Sequence, residues 1–377
     1  MGSLIDLSHQ RPRWRPGGAP ALRIVMVAPP WEEVPPKRYG GIEAVLADLI
    51  KGLARRGHDV TLIGVGRSAV PARFLRTFPE APSARIGSPL PEMLHAARAQ
   101  RLLAGLDTDI VHDHSLTGPL TAATRPAPTV VTCHNPSDGE FGDYYRALGD
   151  DVALVAISHA QRVLGPDLHW IATVYNALDV ATFPFRDRKQ EWVLWLGRFH
   201  RDKGAHLAID AARAAGRRIV LAGKLTEPTE QAYFAEYIRP RLGRDTIYVG
   251  EADAAHKREL LAAARCLLFP VQWDEPFGMV MIEAMACGTP VAAIGRGAVP
   301  EVVIDGLTGF VCKTPEELPD AIEGAGTLNP RVCREHVQRN FDVGIMAAAY
   351  EDVYRQTLIR ATAQRRRTTG PARKLSP

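Results

Sequence analysis

Two glutamates eight positions apart, Glu275 and Glu283, frame the segment DEPFGMVMIEAMACGTP at residues 274–290. Pro276 is excluded from a helix interior but suits its entry, and Gly288 suits its end. The stretch between them reads as one helix. Its first amides, at Gly278, Met279 and Val280, lack partners inside the helix and sit at the positive end of its dipole. At ~1.5 Å of rise per residue, the carboxylates stand ~12 Å or more apart. That exceeds the ~5–5.5 Å of a retaining glycosidase pair and the ~6.5–9.5 Å of an inverting one. It suits the two ends of one elongated ligand, with a phosphate over the helix start between them.

A second cluster is GRFHRDKG at residues 197–204, directly after an apolar run. Arg198 and Lys203 there bring a guanidinium and an ammonium to one crevice, a pairing suited to neutralising a pyrophosphate. The loop KRYGG at 37–41 enters another helix, and its glycines let backbone approach a phosphate closely. The dinucleotide fingerprint G-x-G-x-x-G is missing after both 22–30 and 192–197, which counts against a nicotinamide enzyme. His134 ends the strand-like TVVTCHN, and His112 and His114 flank Asp113 at another strand end. Of these, His112 reads as a core histidine and His114 as facing the cleft. HDH lacks the third and fourth partners of a metal site. Tyr39, His114 and Asn135 are the residues expected to touch an acceptor.

The elements that position these residues are short apolar runs alternating with amphipathic stretches. Strands are expected at 22–30, 59–66, 109–114, 129–135 and 152–158, with helices at 42–56 and 93–103. After a polar, linker-like stretch at 186–191 the pattern restarts. Strands follow at 192–197, 218–223, 246–250, 266–270 and 290–293, and helices at 205–215, 229–238, 255–264, 278–286 and 315–324. A last amphipathic helix spans 343–360. Such alternation implies α/β architecture, with parallel sheets covered by helices.

The chain has 377 residues, 46% hydrophobic and 23% charged, enough apolar material for two domain cores. No apolar run reaches the ~18 residues of a membrane helix. The start of the chain lacks a signal peptide's apolar middle, and a cytoplasmic location is expected. The five scattered cysteines contain no C-x-x-C, so buried reduced thiols are expected. Net charge is +4, but residues 1–22 carry +2 and residues 360–377 carry +6, leaving −4 on the body. The basic character therefore belongs to the tails. No specific nucleic-acid partner is expected, and at most weak peripheral membrane contact.

These residues together resemble the retaining GT-B glycosyltransferases of glycosyltransferase family 4. The likeness runs from about Leu22 to Leu358. It rests on Gly40-Gly41, His134, GRFHRDKG, EPFGMVMIE leading into AMACGTPVAA, and GAVPEVVIDGLTGFV at 297–311. It implies two Rossmann-like α/β/α domains with an interdomain cleft. Residues 22–185 would form the acceptor-side domain and 186–342 the nucleotide-sugar domain. The helix 343–360 would cross back to the first domain, with disordered basic tails at 1–21 and 361–377.

By the same resemblance, Glu283 holds the nucleotide ribose. Glu275 holds sugar hydroxyls, with the amides of Phe277 and Gly278. Arg198, Lys203, Gly41 and the Met279 and Val280 amides bind the diphosphate, and the base lies near Val249. His134 lies beside the reacting sugar. The catalytic group is then His134, Arg198, Lys203 and Glu275. The expected reaction moves a hexose from a nucleoside-diphosphate sugar to an acceptor hydroxyl with retention, by front-face attack, with no cofactor and no divalent metal. UDP-glucose or UDP-N-acetylglucosamine is the first expected donor and GDP-mannose the second. The loops 31–38 and 136–145 would read the acceptor. A nucleotide-sugar 2-epimerase or a non-catalytic nucleotide-sugar-binding module are the alternatives. The Glu-x7-Glu spacing fits the epimerase less well, and intact Arg198, Lys203, Glu275 and Glu283 speak against the module.

Overall fold

The computed structural model describes residues 20–38 and 40–368. Among them, seven parallel strands form a first sheet: β1 (Arg23–Val27), β2 (Asp59–Val65), β3 (Arg73–Phe78), β4 (Ile110–Asp113), β5 (Thr129–Cys133), β6 (Val152–Ala156) and β7 (Trp170–Thr173). A second sheet holds β8 (Val193–Leu196), β9 (Ile219–Ala222), β10 (Thr246–Tyr248), β11 (Leu267–Phe269), β12 (Val291–Ile294) and β13 (Gly309–Cys312). Their spatial orders are β3-β2-β1-β4-β5-β6-β7 and β10-β9-β8-β11-β12-β13. Each order reverses beside the unit's first strand, between β1 and β4 and between β8 and β11. That opens a crevice at the carboxyl ends of those strands.

The first sheet carries α1 (Gly41–Arg55), α2 (Pro89–Leu103), α3 (Gly139–Ala147) and α4 (His159–Leu164). The second carries α5 (Ala205–Ala214), α6 (Pro228–Tyr233), α7 (Ala254–Ala263), α8 (Met279–Ala286), α9 (Val299–Val302), α10 (Leu318–Ala325) and α11 (Pro330–Asn340). Because helices cover both faces, β1 is buried from Ile24 to Val27 and reads as an unbroken apolar run. On α1, the stripe Val45, Leu46, Leu49, Ile50 and Leu53 turns inward, as its 3.6-residue spacing requires. All five cysteines are buried free thiols.

The chain ends in α12 (Val343–Thr368), which lies against α1. Met346, Ala347, Tyr350, Val353 and Tyr354 join the apolar cluster of the first sheet. Close approach is possible because Gly52 of α1 has no side chain: a Cβ there would stand 2.8 Å from that of Ala347. Glu351 accepts from Arg56, at the end of α1, at 2.7 Å and from Arg355 at 2.6 Å. The helix continues past Arg360, where the sequence suggested a tail, since no glycine or proline interrupts 361–368. The expected tails otherwise fall on 1–19 and 369–377, outside the described residues.

Two chain segments cross between the sheets side by side. Leu178 donates its amide to Phe341 at 3.1 Å and accepts from Val343 at 3.0 Å. Asp179 is held on the α1 side by Arg55, at 2.7 Å, and its amide donates to Asp48 at 3.1 Å. One residue later the chain is held by the other unit, where Arg334 of α11 donates to Val180, Phe183 and Ala286 carbonyls at 3.1, 2.9 and 2.7 Å. Lys189 then bonds the Ala262 and Cys287 carbonyls and the Thr289 hydroxyl, at 2.9, 2.9 and 2.8 Å.

Several elements escaped sequence patterning. Edge strand β3 exposes Arg73 and Arg76, which breaks the apolar run expected of a strand. Strands β7 and β13 and helices α4 and α9 are short, and helices α3 and α11 are polar overall, so none offers a long apolar signal. The helix expected at 229–238 divides into α6 and a π-helical turn at Phe234–Ile238.

Candidate active site

The loop after β8 is stitched to the segment before α8. Gly204 adopts a left-handed conformation, φ +67°, with its Cα against the Pro270 carbonyl, where any side chain would collide. Gln272 donates its backbone amide to Asp202 and its side-chain amide to Arg201, both at 2.8 Å. Trp195 donates its indole N–H to the Lys203 carbonyl at 3.0 Å. This stitching delivers Lys203 Nζ to within 2.5 Å of Glu275 Oε2. The ammonium also lies 4.7 Å from the Trp273 ring centroid, and the Trp273 indole donates to Glu275 at 3.1 Å. Glu275 is nearly buried, and its carbonyl accepts from Ala298 at 2.9 Å. Arg198 is half-buried, and its guanidinium forms no ion pair among the described residues.

Three residues after Glu275 the chain enters α8 through Gly278, again left-handed at φ +83°. Among the described residues, the Gly278, Met279 and Val280 amides donate to no other group, as a first turn leaves them. Met279 packs against the apolar clusters of both units, so this helix start lies where they meet. Phe277 turns inward, its ring tilted 42° to that of Tyr175 of the first unit with centroids 6.1 Å apart. Further along α8, Glu283 is nearly buried and pairs with Lys257 of α7 at 2.6 Å. Val249, after β10, is exposed and donates its amide to Leu221 at 3.0 Å. Next to it, Glu251 lies 3.8 Å from Arg38 of the first unit.

On that first unit, Gly41 opens α1 and is exposed, with empty space where a side chain would stand. Just beneath it Glu43 is buried in the first turn, and burial pushes its carboxyl up to about 7. His134 follows β5. Its neighbours are fixed by Gln161 of α4, which donates to the Cys133 carbonyl at 2.8 Å and the Asn135 carbonyl at 2.7 Å. His134 Nε2 lies 2.9 Å from His114 Nδ1. Burial pushes His134 down to about 4. His112 is wholly buried, with Nδ1 2.8 Å from the Tyr354 hydroxyl and Nε2 2.7 Å from the Thr132 hydroxyl.

The structure thus joins Lys203 directly to Glu275, with the α8 amides beside them, and sets Glu283 on a lysine of its own. His114, expected to touch an acceptor, is buried and bonded to His134. Asn135 uses its carbonyl to hold Gln161. Tyr39 lies outside the described residues. Trp273, Lys257 and Gln161 were not anticipated, because each meets its partner through tertiary packing. Among the described residues no group of three or more His, Cys, Asp or Glu side chains could hold a metal ion, and no helix is long and apolar enough to cross a membrane.

Comparison with known proteins finds similarity along most of the chain. The model for glycosyl transferases group 1 matches residues 182–330, and that for Glycosyltransferase Family 4 matches residues 39–194. A glycogen synthase of Mycobacterium tuberculosis is 27% identical, covering 88% of this chain and 94% of the relative. A phosphatidyl-myo-inositol mannosyltransferase of the same organism is 26% identical, covering 88% of this chain and 96% of that one. The crystal structure of AviGT4, a glycosyltransferase involved in avilamycin A biosynthesis, is similar with a TM-score of 0.71 and 27% identity. The match covers 90% of this chain and 98% of AviGT4.

Proposed function

The chain belongs to glycosyltransferase family 4, the retaining GT-B glycosyltransferases, and on that premise we propose that it moves a hexose from a nucleoside-diphosphate sugar to an acceptor hydroxyl without a divalent cation. The observation that carries this reading is the Lys203–Glu275 contact, three residues ahead of the open amides of α8 at the meeting of the two units.

Breaking the bond from the anomeric carbon to the leaving oxygen places negative charge on the diphosphate. Lys203, Arg198 and the Gly278, Met279 and Val280 amides receive that charge as it grows, which lowers the barrier at the transition state. Gly41, open on its free side, lets backbone approach the same phosphates from the first unit. Glu275 binds sugar hydroxyls with the Phe277 and Gly278 amides, which orients the ring for attack on the face the diphosphate leaves. Glu283 takes the ribose diol and the Val249 region takes the base. His134 lies beside the sugar, and the departing phosphate accepts the proton of the attacking hydroxyl.

The relatives' names point to both glucosyl and mannosyl transfer. The expected donor is UDP-glucose or UDP-N-acetylglucosamine, with GDP-mannose second. A panel of nucleotide sugars in EDTA tests the reading, with the anomeric configuration of the product read by proton NMR. Slow hydrolysis or transfer with retention is expected. Full loss of activity in EDTA, restored by magnesium, contradicts the cation-free mechanism. Epimerisation at C2 without transfer contradicts the reaction itself.

A further inference from the structure

His114 and His134 have two ways to place one proton in their 2.9 Å contact. Both rings are neutral: burial pushes His114 well below the usual histidine range, with His112 and His134 adding to it, and burial pushes His134 down to about 4. In the first arrangement His114 donates from Nδ1 to Nε2 of His134. The far nitrogen of His114, Nε2, is then a lone pair, and His134 keeps its proton on Nδ1. In the second, His134 donates from Nε2, and His114 is left with its proton on Nε2.

The surroundings of His114 separate the two. Its Nε2 is buried with no hydrogen-bond partner among the described residues. The neighbouring His112 offers nothing to it, since both of its ring nitrogens face hydroxyls, those of Tyr354 and Thr132. The His112 ring also stacks on His114, centroids 4.0 Å apart and tilted 41°. That stack is itself held from behind by α12, because Thr132 lies 2.7 Å from the Tyr350 hydroxyl. Stranding an N–H donor in such a place is rarer in folded proteins than stranding an acceptor. The second arrangement strands a donor and the first strands only a lone pair.

We propose that His114 is a positioning residue that donates from Nδ1 to Nε2 of His134, fixing His134 in the tautomer whose Nδ1–H is offered to an oxygen of the bound sugar. The assignment rests on the reading of His134 as the group beside the sugar, and it deepens that reading. His134 acts as a hydrogen-bond donor, so the sugar must bring an oxygen with a free lone pair to it. Nδ1 carries a proton already, so it takes none from the acceptor hydroxyl.

Long-range proton–nitrogen NMR of the full chain labelled with 15N-histidine reads the tautomer directly, with His134 assigned by its loss in His134→Ala. Protonated Nδ1 and bare Nε2 on His134 are expected. In His114→Leu the fixed tautomer should be lost and kcat should fall about 10-fold or more, with donor KM little changed. His114→Asn, whose amide N–H stands where Nδ1–H stood, should restore both. A wild-type His134 protonated at Nε2 overturns the proposal, as does a leucine variant with unaltered tautomer and kcat. Should the leucine variant fail to fold, the wild-type and asparagine spectra decide. If no donor is turned over by the wild type, the functional reading fails while the spectrum still settles the tautomer.

Discussion

The Lys203 ammonium rests between a carboxylate and an indole face, Glu275 at 2.5 Å and Trp273 at 4.7 Å. In the proposed mechanism, a sugar diphosphate entering between them would offer the lysine a stronger anion and free Glu275 to accept from sugar hydroxyls. Lys203→Ala should lower kcat by ~10²–10³-fold, the usual cost of losing a donor aimed at developing charge. The melting temperature should fall only ~1–2 °C, the shift that ~1 kcal/mol produces in a chain of this size. Steady-state kinetics with thermal melts checks this, and unchanged turnover contradicts the role given to Lys203. Arg198, Lys203 and Glu275 could be singled out in the sequence because they lie in loops just after apolar runs, and the structure brings Lys203 and Glu275 into contact. Trp273 was not, since an indole two residues before a glutamate carries no spacing signal. Lys257 reaches Glu283 from another helix, and Gln161 reaches β5 from a short helix that looked like surface.

Beside its apolar packing, the junction of α1 and α12 is held by one carboxylate. Burial pushes Glu351 up, but hydrogen bonds from Arg355, Arg56 and His58 outweigh it and hold the group at about 2, below its ordinary 4.5. The charged form is the one that folding favours. Its stabilisation is therefore complete above about 4.5 and is lost as pH falls from there towards about 2. Glu351→Gln should cost ~2 kcal/mol at pH 7, in the range for hydrogen bonds to a charged group. It should also flatten the acid limb of the stability curve between pH 4.5 and 2. Denaturant titrations at several pH values measure both; a variant with the wild-type acid limb contradicts the assignment. The long helices and buried strands of this junction were legible because their apolar stripes repeat over several turns. Edge strand β3, with Arg73 and Arg76 turned to solvent, and the four-residue β13 were not, because exposure and brevity erase that repetition.

Between the two sheets, polar contacts accompany the apolar ones at Met279 and between Phe277 and Tyr175. Glu301 of α9 accepts from the His159 and Ala160 amides at 2.8 and 2.6 Å and from the Tyr175 hydroxyl at 2.8 Å, and Arg38 faces Glu251. Contacts of this kind permit rearrangement when ligand fills the gap. Small-angle scattering of the full chain should show a smaller radius of gyration with a bound nucleotide sugar than without. Superimposable curves contradict closure. The direction of that movement follows from the paired crossings at Leu178 and Phe341–Val343. One strap would leave the halves free to swivel. Two straps, laced by reciprocal amide bonds and anchored at Asp179 on one side and at Val180 on the other, behave as a door hinge with a single pin. In the proposed mechanism, such a hinge would favour folding of the halves towards each other over twisting, and would return the donor's reacting carbon to the same spot at each swing.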